Sequence, residues 1–392
     1  MTTSEEATRL LCDLVALPSV NPEHDAGFAE VPYGEGRVVD YVQRYFRRFD
    51  LRTERQEVLP GRENLLVFIP GQDCSASAIL LEAHTDTVDV QGMNAPFAPL
   101  VDNGRVYGRG ACDTKASLAA MMLALKELLQ EGVMLPRDCV FAAVADEEFH
   151  MAGAQSVAER GMHLAAAVVG EPTGLRVVSA HDGHMYVRMV AHGKAAHTST
   201  PEQGVNAIYI VNEVINVMRR RAASVYPERR HPLCGSPLLM VSMINGGTSF
   251  HVVPDACEIA VDRRLIPGET WHDALEEVKD WVAEDLPAET CKRVEFEPPD
   301  KAVAAMETPI GHPLVHTLRS AIEAELGRSQ VMGVPWNTDA SHYAGAGIPS
   351  VVFGPGDVAQ AHSIGEFVEI RQLTSAVDIL KRFLLKGDAV SV

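Results

Sequence analysis

The chain has 392 residues, 46% of them hydrophobic and 22% charged, with a formal net charge of −19. That length exceeds the roughly 250–300 residues at which single cores divide, so two domains are expected, and the acidic balance disfavours a nucleic-acid partner, which would want a basic face. No run approaches the ~18 uninterrupted apolar residues of a membrane span, and the start carries no basic stretch followed by an apolar one, so a soluble, unexported protein with no membrane partner is expected. Seven cysteines, odd in number and without a C-x-x-C pair, indicate neither a disulfide framework nor a thiolate zinc site and fit a reducing cytoplasm.

In chain order, residues near 5–17 and 36–49 have helical patterns, and 64–69 and 77–84 read as strands. The clearest helix covers 117–130. Its apolar positions Leu118, Met121, Met122, Leu125, Leu128 and Leu129 follow helical spacing, with Gly132 as a stop, which makes both methionines core residues. Strand 138–145, helix 152–160 and strand 165–170 continue the alternation and predict a largely parallel sheet covered on both faces.

After Ser179 the pattern changes. Met185 to Val190 alternates like a half-exposed strand, 201–219 reads as a long helix, and strands at 238–244, 257–265 and 293–296 surround a helix near 270–285. This order predicts a small α+β domain with an antiparallel sheet. Beyond Pro298-Pro299 the first style resumes with helix 312–326, strand 349–353 and a helix near 371–385. The expected fold is α/β: residues 1–181 and 297–392 form one discontinuous catalytic domain with a mostly parallel sheet, and 182–296 form an inserted α+β domain.

The feature that points to chemistry is Asp146-Glu147-Glu148 at the end of the apolar run 140–145. A strand that buried should not end in three carboxylates without a cation. Residues 79–83 run likewise into His84-Thr-Asp86, and 166–170 run into Glu171, so three apolar segments deliver ligands at the ends where open α/β sheets place their sites. A two-metal hydrolytic site needs ligands from separate strand ends, a carboxylate bridging ions ~3.5–4 Å apart, and a free carboxylate to take a proton from the shared water. His84 is a suitable nitrogen ligand, and Asp86, on the same side of an extended segment, can hold the other imidazole nitrogen. Asp113 follows the turn Gly108-Arg-Gly-Ala-Cys, whose backbone freedom lets it reach between two ions. Glu147 and Glu148 face opposite ways if extended, which suits one as ligand and the other as base.

Together His84-x-Asp86, Gly110-Ala-Cys-Asp113-Thr-Lys, Asp146-Glu147-Glu148 and Gly170-Glu171-Pro-Thr resemble a family of di-zinc amidohydrolases. That family includes acetylornithine deacetylase, succinyl-diaminopimelate desuccinylase, aminoacylase and glutamate carboxypeptidase. The resemblance implies that His84 and Glu171 bind one metal, Glu148 and His362 the other, that Asp113 bridges, and that Glu147 is the general base with Asp86 in support. His362, at the end of Gly354-Pro-Gly-Asp-Val-Ala-Gln-Ala-His, is most similar to the acetylornithine deacetylase form of that motif.

In the inserted domain, the segment from His192 through His197 to Pro201 resembles one in which a lid histidine reaches the partner subunit's active site. This implies a homodimer through the lid and makes His197 the candidate for polarising the scissile carbonyl. Asn245-Gly-Gly and Asp262-Arg-Arg264-Leu-Ile-Pro267 resemble the region that grips the substrate carboxylate. Arg264 aligns with the binding arginine, whose fork suits a carboxylate, and Asn245 is a further substrate contact. The chain departs from the family pattern at Ala116, His251 and Asp339; Asp339 stands open between contact with a substrate amine and a helix N-terminal carboxylate.

The expected function is hydrolysis of an N-acyl-L-amino acid with two divalent ions per chain, zinc foremost and cobalt or manganese open. The alternatives are succinyl-diaminopimelate desuccinylation, small-peptide cleavage, or a non-catalytic metal-binding dimer that recognises an amino-acid derivative.

Overall fold

The computed structural model describes residues 2–24, 34–90 and 92–390. The chain divides into two compact units: Met1–Ser179 with Glu307–Met332 and Thr338–Val392, and Ala180–Met306 with Gly333–Asn337. The second unit continues past the Pro298-Pro299 break because Lys301–Val303 pairs antiparallel with the strand Gly183–His192, Lys301 lying opposite Tyr186.

In the first unit the strands Cys139–Val144, Ala78–His84 and Leu164–Val169 lie side by side and parallel, with Ile79 opposite both Cys139 and Ala166. Because this register is level, the three chains leave the sheet at one edge. Side chains of Cys139–Val144 are buried on both faces, which is why the strand reads as one apolar run rather than an alternation. Ser350–Val352 adds parallel to Leu164–Val169. On the other side Arg62–Ile69 runs antiparallel to Cys139–Val144, and Arg52–Leu59 runs antiparallel to Arg62–Ile69. The mainly parallel sheet agrees with the pattern of alternating strands and helices.

Arg52–Leu59 had no strand signal, and its position explains why. It is an exposed, charge-rich edge, as edge strands commonly are, and so carries no apolar alternation.

The helix Lys115–Gln130 packs against the helices Thr3–Val15 and Ile370–Leu384 and the strand Ala78–His84. Leu118, Met121, Met122 and Leu125 are buried to 1% exposure or less, so both methionines are core. Each such side chain contributes about 1.5–3 kcal/mol of burial free energy. This helix fixes the direction in which the preceding Asp113 turn faces.

In the second unit the strands run in the order Leu238–Gly246, Ala256–Leu265, Gly183–His192, Val294–Phe296, all antiparallel. Ala207–Val225 and Trp271–Asp285 supply Ile210, Val214, Val217, Leu275, Val278 and Trp281 to its core. The helix expected from residue 201 begins at Ala207. Asn206 caps it by accepting from the N–H groups of Ile208 and Tyr209 at 2.9 and 3.3 Å, while Pro201–Gln203 forms a separate short turn. Among the described residues no helix is long and apolar enough to cross a membrane.

Candidate metal centre

Because the three parallel strands end level, His84, the Asp146–Glu148 turn and Glu171 emerge at one edge of the first unit. Asp113 arrives from a separate turn. Gly110 sits there at φ +82°, a conformation that favours glycine, and a Cβ would come within 2.9 Å of the Lys115 and Thr87 side chains. The turn is held from beneath by the buried Glu366. One of its oxygens accepts from Arg109 Nη1 at 2.6 Å and the Gly110 N–H at 3.1 Å. The other accepts from the N–H groups of Cys112 at 2.8 Å and Asp113 at 3.0 Å.

The Asp113 carboxylate then faces two imidazoles. Its Oδ1 is 3.1 Å from His84 Nε2 and its Oδ2 is 3.3 Å from His362 Nε2. Glu171 Oε1 lies 3.6 Å from His84 Nε2, and Glu148 Oε2 lies 3.1 Å from His362 Nε2. Two sets of ligand atoms fall within 4.8 Å of one another: one from His84, Glu147 and Glu171, the other from His84, Asp113 and Glu148.

Asp86 differs in detail from the geometry its spacing suggests. His84 Nδ1 is 3.0 Å from the main-chain carbonyl of Asp86 and 3.6 Å from its carboxylate. That carboxylate instead accepts the N–H groups of Glu147 and Glu148, both at 3.1 Å, and the side-chain amide of Asn21 at 2.8 Å.

The electrostatics follow from crowding acids in a dry place. Burial pushes the Glu147 carboxyl up to about 8; the His84 charge opposes the shift, while Glu148, Asp113 and Asp86 add to it. Burial and Asp113 likewise raise Glu148, and they hold Glu171 well above the carboxylate range. At Asp113 burial opposes ionisation, but hydrogen bonds to His362 and His84 outweigh it and keep the group below the usual range. Asp113 and Glu148 raise His362 to about 11. At His84 burial works against the charge, yet Asp113, Asp86 and Glu171 raise the imidazole well above its ordinary value. Asp86, Asp113, Glu147, Glu148 and Glu171 thus demand more positive charge than two imidazoles supply. Oε1 of Glu148 is also buried without a hydrogen-bond partner. This donor set, nitrogen and oxygen with no thiolate, fits divalent cations.

His197, Arg264 and Asn245, also singled out from the sequence, belong to the second unit. His197 is exposed, with Nδ1 2.7 Å from Ser199 Oγ and its ring parallel to that of His251 at 6.5 Å. Arg264 donates to Asp262 at 3.0 and 3.2 Å. Asn245 is exposed on Leu238–Gly246, opposite Glu258. Asp339 lies in the first unit at the start of the helix Ala340–Gly345, but its side chain makes no capping bond. It is fully buried, and burial together with Glu82 and Glu147 raises it well above its usual value. Sequence reasoning passed over Asn21, Glu35, Arg62 and Glu366, which support the centre from behind.

Comparison with known proteins settles the family. Residues 80–386 match the model of Peptidase family M20/M25/M40. The chain belongs to that family. It is an enzyme of the metallo-hydrolase class, as its motifs imply. Among curated relatives, acetylornithine deacetylase of Klebsiella pneumoniae (strain 342) is 29% identical over 380 residues, covering 94% of each chain. Acetylornithine deacetylase of Vibrio atlanticus (strain LGP32) is 28% identical, over 90% of this chain and 92% of its own. The fold is shared with aminopeptidase PepT from Bacillus cereus, at TM-score 0.80 and 20% identity over 98% of this chain and 99% of that one. It is also shared with a dinuclear metal binding peptidase of the M20 family from Bacillus subtilis, at TM-score 0.74 and 17% identity over 99% of each.

Proposed function

We propose that this M20 enzyme is a two-metal deacylase of N-acyl-L-amino acids, similar in activity to the acetylornithine deacetylases it is related to. The observation that carries the reading is the Asp113 carboxylate, which offers one oxygen toward His84 and the other toward His362. A carboxylate so placed can serve two cations at once. His84 and Glu171 would hold one ion and Glu148 and His362 the other; zinc suits both, and cobalt and manganese are close competitors.

Bound there, the ions would activate water and polarise the amide carbonyl. Glu147 would take a proton from the attacking water as the water oxygen bonds to the amide carbonyl carbon. The same carboxyl then passes the proton to the departing amine nitrogen as the C–N bond breaks. Burial raises Glu147 above the usual carboxylate range, and its carboxyl lies close to His84 and Glu171, which supports a role in both halves of this transfer. Asp86 holds the base in register through the Glu147 N–H. His197 would donate to the scissile carbonyl in a second copy of the chain, with Arg264 and Asn245 gripping the substrate carboxylate.

A dimer through the second unit is supported by its edge strand. Leu238–Gly246 ends the sheet with Met240 65% and Met243 68% exposed, an apolar row that an edge strand does not usually leave uncovered. A reducing cytoplasm suits the seven free cysteines. Peptide cleavage is the second reading, favoured by the shared fold with aminopeptidase PepT.

The test is metal content together with amine release from N-acetylornithine, N-succinyl-diaminopimelate and a dipeptide, before and after chelation, with sedimentation of the same sample. Two ions per chain and chelator-sensitive deacetylation are expected. Turnover of the dipeptide alone would transfer the assignment to a peptidase, and turnover unaffected by removal of the metal would end the two-metal reading.

A further inference from the structure

Asn21 follows Pro18-Ser19-Val20 at the end of the first helix's exit loop, 65 residues from Asp86 and 125 from Asp146. Its main-chain N–H bonds to the Thr87 carbonyl at 2.9 Å, and the Thr87 N–H bonds back to Ser19 at 3.0 Å, which stitches this segment to the loop after His84. The side chain is fully used. Nδ2 donates to Asp86 Oδ2 at 2.8 Å and to Asp146 Oδ1 at 2.9 Å, while Oδ1 accepts the Glu23 N–H at 3.1 Å.

Both ends of this bridge lead further. Asp86 accepts the N–H groups of Glu147 and Glu148, the residues offered above as base and ligand. Asp146 accepts Arg62 Nη1 at 2.8 Å, and the Arg62 guanidinium is forked against Glu35, whose carboxylate also takes the Asp146 N–H at 3.3 Å. Asn21, Glu35, Asp86 and Asp146 are 0% exposed and Arg62 is 7% exposed, so these groups rely on one another rather than on bulk water. Two carboxylates face each other there, and the Asn21 amide, with two N–H donors on one nitrogen, bonds both at once.

We propose that Asn21 is a positioning residue of the metal centre. By locking Asp86 to Asp146 it sets the main chain of Glu147 and Glu148 relative to His84. It touches neither substrate nor metal. A shift of the Asp86 carboxylate would be transmitted directly to the backbone that presents the proposed base and the His362-side ligand. Partners that orient a metal centre from behind typically account for 10–100-fold in metal affinity or activity. The proposal rests on the two-metal reading.

The test uses the full-length protein with Asn21→Ala, which removes both donors, Asn21→Asp, which places a third carboxylate between the two, and Asn21→Ser, which keeps one donor. Val42→Ala, a buried core change on the helix Gly36–Phe46, serves as a stability control. Metal affinity is read by competition with a chromophoric chelator, ligand geometry by the visible spectrum of the cobalt-loaded protein, and kcat and KM at saturating metal. Asn21→Ala and Asn21→Asp are expected to weaken metal binding 10–100-fold, to alter the cobalt spectrum, and to lower kcat at least tenfold with KM within threefold. Asn21→Ser should be intermediate and stands in if the others do not fold. Val42→Ala should lower the melting temperature alone. Folded Asn21 variants with wild-type metal affinity and spectrum would overturn the proposal while leaving the metal reading intact. A wild-type protein that takes up no divalent ion would instead remove the metal reading itself.

Discussion

Glu366 offers the most direct test of how Asp113, the proposed bridging ligand, is held. Its carboxylate accepts four hydrogen bonds, two at each oxygen: Arg109 Nη1 and the Gly110 N–H at one, the Cys112 and Asp113 N–H groups at the other. Glu366→Gln keeps the shape but turns one oxygen into an NH2 group. In either amide orientation that NH2 faces two donors, so at least two bonds become repulsive contacts. Bonds to a charged acceptor contribute about 1.5–3 kcal/mol each. Arg109, 1% exposed, also loses its countercharge, and breaking a buried pair costs about 3–5 kcal/mol. These contributions overlap and do not add, and we take a loss of about 4 kcal/mol as the expected effect. Urea unfolding of the chelated proteins is the assay, because removing the ions keeps mass action out of the comparison. The midpoint should fall with the slope unchanged, and metal affinity should weaken as the Asp113 turn relaxes. A loss under about 1 kcal/mol would mean that the turn holds itself and that Glu366 is a bystander.

Glu147→Gln is expected to lower kcat by about 10²–10⁴-fold while both ions stay bound, as measured by turnover and metal analysis of one preparation. Loss of an ion from that variant would make Glu147 a ligand, which its proximity to His84 and Glu171 would then explain. A separate expectation concerns acid. Burial depresses both His181 and His184 in the second unit to about 4, against 6.5 for a free imidazole. Between those values the unfolded chain binds protons that the folded chain refuses. Their stabilisation is therefore complete above about pH 6.5 and is lost as pH falls toward 4, by roughly 3 kcal/mol for each histidine. Between pH 7 and 4.5 His181→Phe should gain stability relative to the wild type as the pH falls, read as the difference in unfolding midpoint; a difference that stays constant across that range would refute the assignment.

The difference between what the sequence disclosed and what it concealed has a physical origin. Periodicity reports which face of an element is buried. It therefore revealed the helix Lys115–Gln130 and the three apolar strands, whose level register alone brings His84, Glu147, Glu148 and Glu171 to one edge. It failed at Arg52–Leu59, where an exposed edge has little to alternate, and at residue 201, where the Asn206 cap rather than the apolar pattern decides where the helix begins.

The supporting polar groups left no such trace. Asn21, Arg62 and Glu366 find their partners across 65, 84 and 253–257 residues of chain, and each partnership is a single geometric event rather than a repeated pattern. An asparagine after Pro-Ser-Val looks like an ordinary turn residue until Asp86 and Asp146 are seen on either side of it. One signal did point inward. Glu366 follows His362, a proposed ligand, by four residues, and once buried in the fold its acid must find donors. Only the folded chain shows that those donors belong to the Asp113 turn, so that the segment carrying His362 also holds Asp113 in place.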